Sequence, residues 1–317
     1  MDTTRPTLDF VGVGFSHCGT TWVAKCLADH PDVFVPAEKE LYYYNNPDRM
    51  ARKPLSSFFP ARTEGRLLGE YTPRYVIDRT ALAHVRHAHP DALLLVSLRD
   101  PVERAISQYN YFRHNMNKED IEDFERALTG PYRVDYVTKS LYADHLETLF
   151  GLVDRDEVHI MFTKDFDEDP VSVLETLYSK LGVDSTFRPA ALETRLNRSG
   201  ADVGNVLGTN LHADDGVKLH GKRFEAFDRI RDVGESVTTR LRIRDYVEPV
   251  ASPLLRKTER TVGRTTSRIE STVADDDSTT RTTIDEAAKQ RVYREYFADQ
   301  VEGLEEMLDV DLSRWKR

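Results

Sequence analysis

The chain has 317 residues, 39% of them hydrophobic and 31% charged, with a formal net charge of −10. That length fits one large α/β domain over residues 1–317 better than two small ones, and the acidity argues against a general nucleic-acid binder, which presents a basic face. No stretch approaches the ~20 apolar residues of a membrane-spanning helix, and the first six residues lack the apolar core of a signal peptide, so the expected location is the cytoplasm.

In chain order, residues 8–14 form an apolar run with β-branched members that reads as a strand. A glycine-containing loop follows, then a helical pattern over residues 20–28. Cys18 and Cys26 flank this junction too closely to suggest a disulfide framework, and no Cys/His spacing matches a zinc site, so no metal is expected. Short strands are predicted at 33–35 and 67–70. A stronger one lies at 92–98, apolar almost throughout as a strand covered on both faces should be. Pro101 suits a first helical turn, and Val102, Ala105, Ile106 and Tyr109 keep helical spacing to about residue 114. Helices are also predicted at 140–149 and 170–181, with a strand at 158–162 between them. Strands alternating with helices imply a central parallel β-sheet flanked by helices.

Residues 199–283 read differently, as a weakly patterned helical or loop insertion rich in Thr, Arg, Asp and Gly. Within it, 274–283 suits a disordered or solvent-exposed loop. Basic residues outnumber acidic ones over 222–268, which fits a solvated helical face, with acceptor binding or peripheral membrane contact as the alternative. Thr283 and Glu286 have capping-box spacing ahead of a final helix to about residue 308.

Two segments carry chemistry. Gly14-Phe-Ser-His17-Cys18-Gly19-Thr20-Thr21-Trp22 keeps the Gly-x4-Gly spacing of a Walker loop, but Thr20 stands where the Walker lysine belongs and the cation has moved to His17. Glycine at both ends permits tight backbone geometry, the amides and helix N-terminus can point at an anion, and Thr20 and Thr21 add hydroxyls. A plain structural turn is the alternative. The second segment, Arg99-Asp100-Pro101-Val-Glu103-Arg104-Ala-Ile-Ser107-Gln-Tyr109, follows the strongest strand. There Arg99 and Ser107 can grip another phosphate, or Arg99 can simply pair with Asp100 or Glu103.

Taken together, these two motifs resemble those of the sulfotransferase family, whose 5′-phosphosulfate loop is Gly-x-x-Lys-x-Gly-Thr-Thr and whose 3′-phosphate motif is Arg-Asp/Asn-Pro-x-x-Arg-Ala-x-Ser-x-Tyr. The likeness extends through His30-Pro31, Lys39-Glu40, Glu70-Tyr71-Thr72-Pro73 and the segment from Tyr296 to Trp315, covering residues 8–198 and 284–317. It implies a P-loop NTPase-like sulfotransferase fold. It also implies 3′-phosphoadenosine-5′-phosphosulfate (PAPS) as co-substrate, adenosine 3′,5′-bisphosphate (PAP) as product, and no metal requirement. By the same likeness His17, Cys18, Gly19, Thr20, Thr21 and Trp22 clamp the 5′-phosphosulfate, Arg99 and Ser107 clamp the 3′-phosphate, and the catalytic pair is Glu40 as general base and His17 stabilising charge on the leaving phosphate oxygen.

The acceptor implied is a hydroxyl or amine, on a glycan or glycolipid. Two departures stand out: His17 replaces the loop lysine, and Tyr71 replaces a second family lysine, for which Arg74 is the expected compensation. For Glu40 a surface ion pair with Lys39 is the competing assignment. Trp22, Tyr42, Tyr43 and Tyr44 form either a stacking wall for a sugar ring or part of the core. Rival functions are a non-catalytic nucleotide-binding protein and a P-loop kinase or hydrolase using Asp100 as its metal carboxylate.

Overall fold

The computed structural model describes residues 6–59, 65–192, 282 and 284–316. These fall in one compact unit. The insertion expected at 199–283, the loop at 274–283, the basic stretch at 222–268 and the capping role of Thr283 lie outside the described residues, save for Thr282.

Five strands form one parallel sheet: β1 (Phe10–Gly14), β2 (Val33–Phe34), β3 (Leu67–Tyr71), β4 (Leu93–Leu98) and β5 (Val158–Phe162), in the order β2-β3-β1-β4-β5. All four pairings are parallel. The helices are α1 (Thr20–Asp29), α2 (Pro47–Arg52), α3 (Arg79–Ala88), α4 (Pro101–Asn110), α5 (Phe124–Ala127), α6 (Arg133–Tyr136), α7 (Tyr142–Phe150), α8 (Thr163–Glu168), α9 (Pro170–Leu181), α10 (Glu286–Val292) and α11 (Ala298–Leu308).

Every residue of β1 is buried, and so is β4 from Leu94 onward. Such strands need apolar side chains on both faces, and alternate residues serve two cores. Val11, Val13, Leu94 and Val96 pack with α3, α4, α7 and α11, through side chains such as Val85, Val102, Leu146 and Leu304. Phe10, Leu95 and Met161 pack on the opposite face with α1 and α9, through Val23, Leu27, Leu174 and Tyr178. Gly69 opposes Phe10 in register, and a Cβ there would stand 2.1 Å from the Phe10 ring.

The final helical segment is capped by Asp285, whose carboxylate accepts from the Ala288 amide at 2.7 Å. Two π-helical turns were not anticipated: Tyr111–Asn115 after α4, and Tyr293–Phe297 between α10 and α11. The order of the strands makes β1 and β4 neighbours, so the loops leaving their carboxyl ends emerge side by side. In open parallel sheets that end is where ligands bind.

Candidate active site

β1 ends at Gly14, and the chain turns through residues 15–19 before α1. The Phe15 amide donates to the Ser97 carbonyl at 3.0 Å, tying the start of the loop to β4, and the Cys18 amide returns to the Phe15 carbonyl at 3.3 Å. His17 and Gly19 both have positive φ, 67° and 74°. At Gly19 glycine is required twice over, because a Cβ would also stand 2.8 Å from the Phe166 ring. Gly19 begins α1 without a side-chain cap, so the first amides of that helix keep their donors for an outside acceptor, at the positive end of the helix dipole.

The second segment leaves β4. Asp100 caps α4, its Oδ1 accepting from the Val102 and Glu103 amides at 2.9 and 3.1 Å. Arg99 divides its guanidinium: Nη2 pairs with Glu103 at 3.4 Å and Nη1 donates to the His17 carbonyl at 3.4 Å. Two turns along α4, Ser107 Oγ lies 3.1 Å from His17 Nδ1. The two segments singled out in the sequence thus touch each other, and Arg99 makes the expected pair with Glu103 while its other arm reaches the His17 loop.

Around the loop the effect of Arg104, Arg99 and Lys139 on His17 outweighs that of Asp135. Burial, then Arg104, Arg99 and Lys139, push the His17 pKa down from 6.5 to about 3, so its imidazole is neutral at ordinary pH. Arg104 is fully buried and donates to Ser140 Oγ at 2.5 Å and to the carbonyls of Asp135 and Tyr136. Its Nη1 has no hydrogen-bond partner among the described residues. A buried donor left open beside other cations is a place where an anion would be satisfied. Lys139, also buried, pairs with Asp135. Burial raises Asp100 from 3.8 to about 6, and its Oδ1 is engaged as a helix cap.

Acceptor-side groups come from the 39–42 loop, β3 and the π-helical turn. Lys39 Nζ lies 3.7 Å from Glu40 Oε1, so the ion pair weighed for Glu40 is present. Burial and then the neighbouring Glu40 carboxylate lift the Tyr42 phenol well above its ordinary value. The Tyr111 ring is 5.6 Å from that of His17, and Glu40 contributes to the upward shift of its phenol, which therefore stands near both. Glu70 is fully buried: Thr72 Oγ1 donates to its Oε2 at 2.8 Å, and burial, opposed by hydrogen bonds from Tyr75 and Thr72, raises the carboxyl to about 7.

Tyr71 does not present its hydroxyl to this region. The ring lies against Gly12, where a Cβ would be 2.3 Å away, and the hydroxyl is 3.2 Å from Ser97 Oγ, inside the sheet. The cation over Tyr71 is Lys39, with Nζ 5.7 Å from the ring centroid, whereas Arg74 was the expected compensator. Arg74 instead acts electrostatically on Tyr42.

Other expected site residues face inward. Cys18 is buried with Sγ 3.6 Å from the Tyr142 hydroxyl, and Trp22 donates Nε1 to the Ala191 carbonyl at 3.2 Å and packs on Phe166. Tyr43 and Tyr44 are core residues, both amides bonded to the Tyr75 hydroxyl. Of the proposed stacking wall only Tyr42 stays beside Glu40, and Tyr111, 43% exposed, joins it. Arg104, Lys139, Lys39 and Tyr111 were not assigned from the sequence. The cue for Arg104 was its place in the second motif; for Tyr111 and Lys139 there was none.

The family model described as "Sulfotransferase domain" matches residues 8–199. Among curated proteins, the chain is 33% identical over 146 residues to heparan sulfate glucosamine 3-O-sulfotransferase 3A1 of Mus musculus, covering 43% of this chain and 35% of that one. It is 30% identical over 106 residues to the membrane-associated sulfotransferase kil1 of Dictyostelium discoideum, covering 32% of this chain and 22% of that one. The matched stretches therefore span about a third or less of these relatives. A solved sulfotransferase from Alicyclobacillus acidocaldarius superposes with a TM-score of 0.63 at 18% identity, over 98% of this chain and 100% of that one, and so shares the fold.

Proposed function

Since the chain belongs to the sulfotransferase domain family, we propose that it binds PAPS across the carboxyl ends of β1 and β4 and transfers the sulfuryl group to a hydroxyl or amine of a carbohydrate or glycolipid. The observation that carries this reading is the joining of the two anion motifs by Ser107 Oγ to His17 Nδ1 at 3.1 Å and Arg99 to the His17 carbonyl at 3.4 Å. Amides at Gly19, Thr20 and Thr21, with the two threonine hydroxyls, serve the 5′-phosphosulfate, whereas the Cys18 amide is already bonded to the Phe15 carbonyl at 3.3 Å. Trp22 contributes little there, because its amide already donates to the Gly19 carbonyl at 3.0 Å. Arg99 and Ser107 serve the 3′-phosphate, and the open Nη1 of Arg104 adds a buried positive end to the same region.

In the transfer, Glu40 takes the acceptor proton as the acceptor oxygen or nitrogen attacks sulfur in line with the departing phosphate oxygen. Fixed donors around the leaving group stabilise the charge that develops there, so the scheme needs no metal. The acceptor class is supported by the name of the murine relative, which specifies heparan sulfate glucosamine. An uncharged His17 favours a second reading, nucleotide binding without transfer.

The test is incubation with sulfur-labelled PAPS and a panel of glycans and glycolipids, with chelator present. The expected result is label in a carbohydrate product and stoichiometric PAP. PAP binding with no labelled product from any acceptor would favour the second reading.

A further inference from the structure

Sulfuryl transfer leaves negative charge on the departing oxygen, yet burial and three nearby cations keep His17 neutral, and Tyr71 points its hydroxyl to Ser97. Without ligand, neither residue thus offers a charged side chain to the reacting atoms. Lys39 is placed to do so. Its ammonium rests over the Tyr71 ring, 5.7 Å from the centroid, and 3.7 Å from Glu40 Oε1. The Tyr71 ring is held against the Gly12 backbone in the middle of β1 and anchored at its hydroxyl. The lysine side chain is only 18% exposed. Its pairing with Glu40 is a single long contact, which leaves ammonium protons to spend on another oxygen. A base must lie within about 3 Å of the acceptor atom, and the Lys39 ammonium is 3.7 Å from that base.

We propose that Lys39, seated on Tyr71, is the catalytic cation of this chain and contacts the transferring sulfuryl group or its bridging oxygen. The proposal rests on the functional reading above. In the step, the acceptor–sulfur bond forms while the bond from sulfur to the 5′-phosphate oxygen breaks. That oxygen keeps the electron pair, Glu40 takes the acceptor proton, and Lys39 neither gains nor loses one. Burial lowers the Lys39 pKa, and the neighbouring Glu40 carboxylate and then Glu70 oppose that effect in part.

The experiment is a double-mutant cycle in the full-length chain, following PAP release from PAPS with and without heparan-type oligosaccharide as acceptor. Loss of one fixed donor from such a site costs about 10²–10³ in kcat. Lys39→Gln is expected to fall in that range, with PAP affinity by calorimetry within about twofold of wild type and partial rescue by Lys39→Arg. If Lys39 merely holds Glu40 in place, adding Lys39→Gln to Glu40→Gln changes nothing further; if it acts on the sulfuryl group, the two losses multiply. Undiminished turnover in Lys39→Gln, or a double variant no slower than Glu40→Gln, overturns the role of Lys39 alone. A wild-type chain that releases no PAP under either condition overturns the functional reading, and this role with it.

Discussion

His17 occupies the loop position where the family carries lysine, and its surroundings work against a second charge. Arg104, Arg99 and Lys139 all act to depress its pKa on top of burial, to about 3. The unliganded protein is thus expected to show no protonation of His17 between pH 5 and 8 when its ring resonances are followed by NMR. Saturating PAP brings phosphate oxygens that favour the cation, so the same resonances should titrate at higher pH in the complex. Replacement by Ala is expected to lose at least about tenfold in turnover, within the range for a positioned group. Equal titration with and without PAP would mean that the ligand does not reach this ring.

At this scale identity and spacing singled out His17, Arg99 and Ser107 in advance, and the structure brings the three together. Less legible was anything that depends on side-chain direction. Trp22, Tyr43 and Tyr44 lie in the core, and Tyr71 turns into the sheet while Lys39 covers its ring. None of these orientations has a sequence signature.

Among the elements, strands were the easiest to place. β4 and β5 are apolar runs buried between two helix layers, and their limits agree with the hydrophobic pattern to within a residue. Helix ends were less clear. The π-helical turn Tyr111–Asn115 continues α4 with one extra residue per turn, which hydrophobic spacing over so short a window does not distinguish from α-helix. That turn carries Tyr111 to the side of His17.

At the end of β3, Glu70 is a buried carboxyl raised by desolvation from 4.5 to about 7. Between those values the folded chain retains a proton that the unfolded chain has released. This contribution to stability is fully present below about 4.5 and is lost as pH rises through about 7. Glu70→Gln removes the titration, so its stability relative to wild type should increase from pH 5 to pH 8, by on the order of 1–3 kcal/mol. Thermal or denaturant melts at the two pH values measure it. A difference that does not grow with pH would show that Glu70 ionises in the fold as it does in the open chain.

For the whole molecule, strand order is the decisive feature. Placing β1 beside β4 lets a loop near residue 17 meet a helix at residue 107, and alternation of strands and helices foretold the parallel sheet but not this adjacency, which comes from long-range pairing. The central claim is that both segments hold one doubly phosphorylated adenosine. Calorimetry with PAP and with AMP, which lacks the 3′-phosphate, tests it most directly in wild type, Thr20→Ala, Arg99→Ala and Ser107→Ala chains. The account predicts that Thr20→Ala weakens both ligands, whereas Arg99→Ala and Ser107→Ala cost PAP about tenfold or more, as expected for lost charge-assisted contacts, and leave AMP nearly unchanged. Equal losses for PAP and AMP in the Arg99 and Ser107 variants, or no PAP binding by the wild-type chain, would contradict it.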